Sequence, residues 1–456
     1  MDTKLKAIFV LTFLLQFYNP WETFAQGSLT VSIPNFSNQQ IYLYKIRGEK
    51  RFLLDSLQTD NQGKINYHFS TKVSSGMFLI MNTQGKSVKF IYNQEDVNFI
   101  LNDFEDKSSI YFDKMSENAL WFDYTMLDDE THRKLGLIIP VLNSYPPDSK
   151  YFKHSQKEYI TLQSKMLQFI KKNTKKKPNS YATKLIRTDF EPIPPIELNA
   201  DEKRNYVMNH FLDSINFADT LLLNSDILTR KMIDYLALQQ QNDQNINEMQ
   251  KKFILALDQI LIRASNEEKM YTFILAFFLE GFTQMGLTTV TDYLIEVPHF
   301  KADCITAESM MQIEKIVEPF RKIMIGAIAP MIISTDITGN TFNINEISNT
   351  QTIIVFWSIH CPFCMEMIPK LKEIQNKYPE IQIISIIIGK HQEEVNQFIE
   401  KENLNWIHLN DGLIWESPVV KAYKVYGTPT LYLLDENHII TARPNSIVEL
   451  IDILNS

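Results

Sequence analysis

The run from Thr352 to Trp357 reads TIIVFW and breaks at once into Ser358-Ile359-His360-Cys361-Pro362-Phe363-Cys364. A continuous apolar run of this length marks a strand buried on both faces. Beyond the break, Met365, Ile368, Leu371 and Ile374 recur at three- and four-residue spacing, which predicts a helix. Cys361 therefore falls in the turn between a buried strand and a helix, at the helix N-terminus. Unpaired backbone N–H groups and the helix dipole favour a thiolate there and lower the thiol pKa. Cys364 comes one turn later, near enough to close a disulfide with Cys361, and turns towards the body of the fold. Pro362 is harmless in the first turn, where its missing N–H would be unpaired anyway.

The same alternation extends to the C-terminus. Ile381 to Ile388 reads as a second buried strand and Val395 to Glu402 as a second helix. Thr430 to Leu434 is a third strand, His438 to Thr441 a fourth on the edge, and Ser446 to Leu454 a closing helix. The pattern from about Gly326 onwards is α/β.

The stretch Ile353 to Cys364, followed by Pro369, resembles the active-site segment of the thioredoxin superfamily, and within it the exported TlpA/ResA-like thiol–disulfide oxidoreductases. Gly326-Ala327-Ile328-Ala329-Pro330 with Asp336-Ile337-Thr338-Gly339 resembles their extra N-terminal hairpin, which peroxiredoxins share. Tyr426-Gly427-Thr428-Pro429-Thr430 resembles the loop that holds the superfamily's cis-proline. The resemblance implies roles. Cys361 attacks a partner disulfide and Cys364 resolves the mixed disulfide. Trp357 packs beside the site, shields it, and joins Thr428 and Pro429 as the substrate-binding side. The Thr428 backbone, ahead of a cis Pro429, is free to pair with an extended substrate strand. No cofactor and no metal is implied.

The chain also departs from the pattern. The buried acid that many thioredoxins carry two residues before the tryptophan is Val355 here. The acid that some relatives carry three residues after the second cysteine is Met367. Glu366 and His360 are the nearby candidates to help move protons or to lower the Cys361 pKa, although a simple surface position suits both.

Earlier segments follow other periods. From Ser28 to about Asp103, short alternating runs separated by turns such as Asp60-Asn61-Gln62-Gly63 predict a small antiparallel β-sandwich. From about Ser116 to Lys322 the spacing becomes helical, in segments such as 205–223, 225–238, 247–264 and 267–285. Glu191-Pro192-Ile193-Pro194-Pro195 breaks this region. Phe211, Leu212, Phe217, Phe273, Phe277 and Phe278 read as its core. The basic run Lys171 to Lys177 reads as a solvated helix end. The division expected is 1–25 signal peptide, 26–110 β-sandwich, 111–322 helical domain and 323–456 thioredoxin-like domain. This layout resembles exported thioredoxin-like proteins of the Bacteroidetes.

Lys4 and Lys6, the apolar stretch Ala7 to Leu15, and Thr23-Phe24-Ala25 before Gln26 have the parts of a secretory signal, with an uncleaved anchor as the alternative. No cysteine follows the cleavage point, so a bacterial lipoprotein anchor is not expected. No later segment has the apolar length of a membrane span. With 45 basic and 54 acidic residues, net charge −9, the chain lacks a nucleic-acid footprint. Three cysteines in 456 residues are too few for a disulfide framework. The third, Cys304, reads as a buried small side chain or a resolving thiol.

Three further readings compete. A zinc site would need ligands beyond the Cys pair, with only Cys304 and His360 to offer. Peroxidase chemistry wants a different surrounding from Phe356 to His360. A static Cys361–Cys364 disulfide in an envelope docking protein is the main non-enzymatic alternative. The expectation is an exported oxidoreductase, in the periplasm or cell envelope of a Gram-negative bacterium. It would reduce or exchange disulfides in envelope proteins and draw electrons from a thiol donor, a membrane-bound carrier being one option.

Overall fold

A computed structural model describes residues 27–240, 245–296, 307–390 and 392–455. The signal-like segment 1–25 and Cys304 lie outside the described residues. The chain divides into two compact units, one ending at Tyr235 and the other beginning at Leu236. The boundary falls inside the helical stretch 111–322, so these helices belong partly to each unit.

The first unit opens with eight strands: β1 (Ser28–Ser32), β2 (Gln40–Arg47), β3 (Lys50–Gln58), β4 (Lys64–His68), β5 (Gly76–Asn82), β6 (Ser87–Tyr92), β7 (Val97–Leu101) and β8 (Ile110–Phe112). They form two four-stranded sheets, ordered β4-β1-β7-β8 and β3-β2-β5-β6. All pairs are antiparallel except β1 with β7, which run parallel. Alternate residues such as Leu29, Val31, Ile41, Leu43, Phe78 and Phe90 fill the space between the sheets. The turn into β4 needs Gly63, whose φ is 72°, because any Cβ there would collide with the Ile33 carbonyl.

Helices follow: α1 (Glu117–Ser144), α2 (Lys150–Lys176), α3 (Tyr181–Asp189), α4 (Ala200–His210) and α5 (Ile227–Ala237). Ser116, Ser149, Ser180 and Asn199 cap the first four by accepting from N–H groups of the first turn. The buried Asn118 joins α1 to the sandwich. Its amide donates to the Ile91 carbonyl at 2.8 Å, and the Ile91 N–H donates back at 2.7 Å. Asn118 thus pairs with the outer edge of β6, where backbone groups would otherwise lack a neighbouring strand. The basic run at Lys171 ends α2, where cations suit the helix C-terminus. The segment expected as one helix over 205–223 stops at His210. Asp219 then accepts from the Leu221 N–H to start a short 3₁₀ turn, while Phe211, Leu212 and Phe217 remain buried.

The second unit contains α6 (Ile246–Ala264), α7 (Glu268–Gln284), α8 (Thr288–Glu296) and α9 (Ala307–Arg321), then a hairpin of β9 (Ile333–Thr335) and β10 (Thr341–Asn343). Next come β11 (Gln351–Trp357), α10 (Pro362–Lys377), β12 (Ile381–Ile387), α11 (Gln392–Glu402), β13 (Ile407–Leu409), α12 (Pro418–Ala422), β14 (Thr430–Asp435), β15 (Ile440–Ala442) and α13 (Ile447–Asn455). The sheet order is β13-β12-β11-β14-β15. The pairs β11–β12 and β12–β13 are parallel, and β14 and β15 join antiparallel. β11 is central, with Ile353, Val355 and Trp357 packed on one face and Ile354 and Phe356 on the other. That two-sided burial is why its sequence is continuously apolar. Among the described residues no helix is long and apolar enough to cross a membrane.

Candidate active site

Cys361 is the N-cap residue of α10, with Pro362 in the first turn. Its position follows from β11, which delivers the chain at the sheet's C-terminal end. There the Cys361 N–H donates to the Ser358 carbonyl at 3.2 Å, and the Cys361 carbonyl accepts from the Cys364 and Met365 N–H groups. Cys361 is partly exposed, Cys364 is buried, and both are free thiols.

The cysteines meet the Thr428–Pro429 loop, whose peptide bond is cis. The Cys361 Sγ donates to the Thr428 carbonyl at 3.2 Å. Burial opposes ionisation of Cys361. Hydrogen bonding with the backbone N–H and thiol of Cys364 and with the Phe363 backbone outweighs it, holding the Cys361 thiol below the ordinary range. The Thr428 carbonyl is an acceptor and suits the neutral thiol. For Cys364 burial is the largest effect and pushes the thiol up to about 12, with the neighbouring Cys361 adding to the rise. Two thiols one helical turn apart thus differ in kind. One is an accessible nucleophile, and the other is held neutral beneath it.

Other sequence candidates fall in different places. Trp357 is 0% exposed, packs against Phe398, and belongs to the same core cluster as Cys364. It floors the site and cannot touch a docked chain, which corrects its assignment to substrate contact; a strand buried on both faces leaves its side chains no route to solvent. Glu366 is exposed on α10, whereas Cys364 and Met367 near it in sequence are buried. His360 is exposed and extends towards Glu394, Nε2 to Oε2 3.9 Å. Neither is among the groups that set the Cys361 thiol. Val355 and Met367 are buried and apolar, so no carboxylate occupies either position next to Cys364. Phe363, between the cysteines, is 71% exposed. The sequence reading also missed the side of the proline loop formed by Thr283 and Arg443, because neither residue carries a recognisable spacing. No group of three or more His, Cys, Asp or Glu side chains among the described residues could hold a metal.

A five-stranded mixed sheet, a Cys-x-x-Cys pair at a strand–helix turn and a facing cis-proline loop define the C-terminal part of the chain as a thioredoxin-like domain. Residues 325–443 match the AhpC/TSA family model. Residues 162–280 match a domain of unknown function, DUF5106. The chain is 28% identical over 105 residues to the soluble secreted antigen MPT53 of Mycobacterium tuberculosis, covering 21% of this chain and 61% of that protein. It is 24% identical over 119 residues to the thiol–disulfide oxidoreductase ResA of Bacillus cereus, covering 25% of this chain and 66% of that protein. The chain therefore spans less than two thirds of these curated relatives. Among solved structures, a domain described as a possible thiol-disulfide isomerase from Cytophaga hutchinsonii is 30% identical, covering 29% of this chain and 91% of that one, with TM-score 0.27. A thioredoxin-like protein from Bacteroides caccae is 17% identical, covering 59% of this chain and 98% of that one, with TM-score 0.34.

Proposed function

We propose that the protein is an exported thiol–disulfide oxidoreductase that reduces or exchanges disulfides in cell-envelope proteins through Cys361 and Cys364. The observation that carries this reading is the unequal setting of the two thiols. Cys361 is lowered and accessible at a helix N-terminus, while Cys364 is raised to about 12 and buried beside it. The Cys361 thiolate would attack one sulfur of a client disulfide and displace the other as a thiolate. Cys364 would then lose its proton, attack Cys361 and release the client, so two protein thiols become a disulfide as one client disulfide becomes two thiols. With Val355 and Met367 where an acid could assist, the departing client thiolate or water must take the Cys364 proton. The resolving step is therefore the slow one.

Export rests on the signal-like segment and on the secreted antigen among the relatives. The periplasm or envelope of a Gram-negative bacterium is the proposed location. Disulfide-containing envelope proteins are the proposed clients, and a thiol carrier, membrane-bound or not, the donor that returns the pair to the dithiol.

The test is the reduction potential of the pair in the full mature chain, read in glutathione and dithiothreitol buffers, with Cys364→Ser as a trap. A potential of roughly −120 to −270 mV, the range of thioredoxin-like enzymes, with mixed disulfides accumulating on Cys364→Ser, is the expected result. A pair that stays oxidised far below that range and a variant that traps nothing would leave a static disulfide in a docking module.

A further inference from the structure

One helix of the first unit carries charge of the opposite sign to the chain. α2 holds eight lysines against one acid, Glu158, and no arginine, whereas the whole chain has net charge −9. The helix dipole accounts for Lys175 and Lys176 in the last turn and works against Lys150 and Lys153 in the first. Lys153 with Lys157 and Lys171 with Lys175 stand four residues apart, a spacing at which like charges weaken a helix. Lys165 is paired with Glu130 at 3.2 Å. Lys153, Lys157, Lys171 and Lys175 are exposed and make no ion pair among the described residues.

The packing fixes which way these side chains point. α2 buries Tyr159, Leu162 and Met166 in clusters shared with Tyr124, Leu127 and Leu135 of α1. The side turned away from α1 presents Lys153, Lys157, Ile160, Leu167, Lys171 and Lys175, in steps of three, four and seven residues that keep them on one stripe. Ile160 is 44% and Leu167 48% exposed, so two apolar side chains sit between the lysine pairs at either end. From Lys153 to Lys175 the stripe is about 33 Å long, at about 1.5 Å per helical residue. Cations at both ends and apolar side chains between them, along one straight face, leave the repulsion unanswered within the first unit.

We propose that this face docks α2 flat on an anionic lipid surface, with the lysines at the headgroup phosphates and Ile160 and Leu167 at the acyl boundary. A basic stripe interrupted by apolar side chains is the pattern of a helix that lies in a membrane interface. The lysine ammonium is a point charge without the fixed fork of a guanidinium, so it suits a diffuse field of phosphates more than one anion held in place. Ile160 and Leu167 gain most from a partner that has an apolar layer beneath its charge, which a lipid surface has. The inference does not depend on the cysteine chemistry. It adds a surface at which an exported protein with this domain would meet its partners.

The experiment sediments the full mature chain with sucrose-loaded vesicles. Vesicles of equal parts phosphatidylglycerol and phosphatidylcholine should bind it at least about tenfold more tightly at low salt than vesicles of phosphatidylcholine alone, because each lysine near an anionic surface adds to the attraction. Added salt should narrow that ratio. Lys153→Gln, Lys157→Gln, Lys171→Gln and Lys175→Gln together should bring binding down to the level of phosphatidylcholine alone. The same change of charge made at exposed lysines of the second unit, Lys251, Lys315, Lys370 and Lys401, should leave the ratio near that of the parent. Ile160→Ser with Leu167→Ser should weaken binding several-fold and leave its salt dependence in place. Equal binding of the unmodified protein to the two vesicles, or binding to neither, overturns the proposal whether or not the variants fold. A ratio that survives the α2 substitutions, or that falls as far with the second-unit set, overturns the assignment to α2. Capture on heparin beads without binding to either vesicle would make the face a general polyanion site and overturn the lipid surface as its partner.

Discussion

The first unit and the second stabilise ionised groups by opposite means. In the first, Lys231 is 1% exposed, yet its ammonium donates to the Asp189 and Phe190 carbonyls at 3.2 and 2.8 Å and lies 3.8 Å from the Phe211 ring. Asp189 is paired with Arg230, and Glu191 and Asp128 flank His132. Every charge there answers another. At the second unit's cysteines no side chain of opposite charge among the described residues sets the thiol. The Cys361 thiol is lowered by hydrogen bonds from backbone N–H groups and the Cys364 thiol, against burial. A structural charge is neutralised so that it cannot react. A nucleophile is stabilised only enough to ionise, and keeps its electrons available.

The first way to break this comparison is at Lys231. Burial pushes its ammonium down to about 8, with Glu191 and Asp189 partly restoring it, so it remains charged at neutral pH. Removing it in Lys231→Ala leaves Asp189 and Glu191 without their inner cation. That should cost about 1–3 kcal/mol, the usual result of leaving buried acceptors without their donor. Urea unfolding followed by circular dichroism would show the first unit melting early. Lys231→Met, which keeps the volume, should recover part of the loss, because cavity and charge contribute separately. If Ala and Met variants both match the parent, the cluster is not structural and the contrast with the cysteine site fails.

A third strategy lies in the second unit and has its own pH signature. His408 is 4% exposed on β13. Its Nε2 donates to the Leu404 carbonyl at 3.1 Å, which leaves Nδ1 to accept from the Ser385 hydroxyl at 2.7 Å. The ring is therefore neutral, and burial, only partly offset by Leu404, holds its pKa down at about 4. Between about 6.5 and about 4 the unfolded chain binds a proton that the folded chain refuses. Stability therefore rises with pH across that window and falls as acid is added. The full effect is roughly 3 kcal/mol at about 1.36 kcal/mol per pKa unit. Thermal melts of the parent and of His408→Gln between pH 7 and 4 should converge as pH falls. Parallel curves would show that His408 does not titrate in this way.

How much of this could be read in the sequence depended on length and period. The short runs read between Ser28 and about Asp103 are strands in the structure, because alternation and turn signals over several residues are a strong signal. β8 and β13 have three residues each, too few for a period, and both were missed. Cys361, Cys364, Thr428 and Pro429 were visible from motif and resemblance, and the fold brings them together. The reading of Trp357 overreached, since a resemblance places a residue near a site but does not say which face it shows. Arg443 and Thr283 lie far apart in the chain, and nothing short of tertiary structure links them. The charge cluster at Lys231 was equally invisible, because its members come from three helices, α1, α3 and α5, and from the break at Glu191.

The smallest effect expected is the sharpest test of the comparison. His360 precedes Cys361 directly, and a charged imidazole there would be the obvious stabiliser of a thiolate. The structure turns it outwards instead, its side chain 61% exposed and directed at Glu394, itself 56% exposed. A charge in that setting is screened by water and salt. His360→Ala should move the pH midpoint of Cys361 alkylation by iodoacetamide by less than about 0.5, a surface-pair effect. The midpoint itself should lie below that of a free thiol, while Cys364 stays unreactive until strongly alkaline pH. A shift of a full unit or more upwards in His360→Ala would make the imidazolium the group that holds the thiolate. The cysteine site would then use a partner charge as the Lys231 cluster does, and the distinction between a neutralised charge and a poised one would have to be abandoned for this protein.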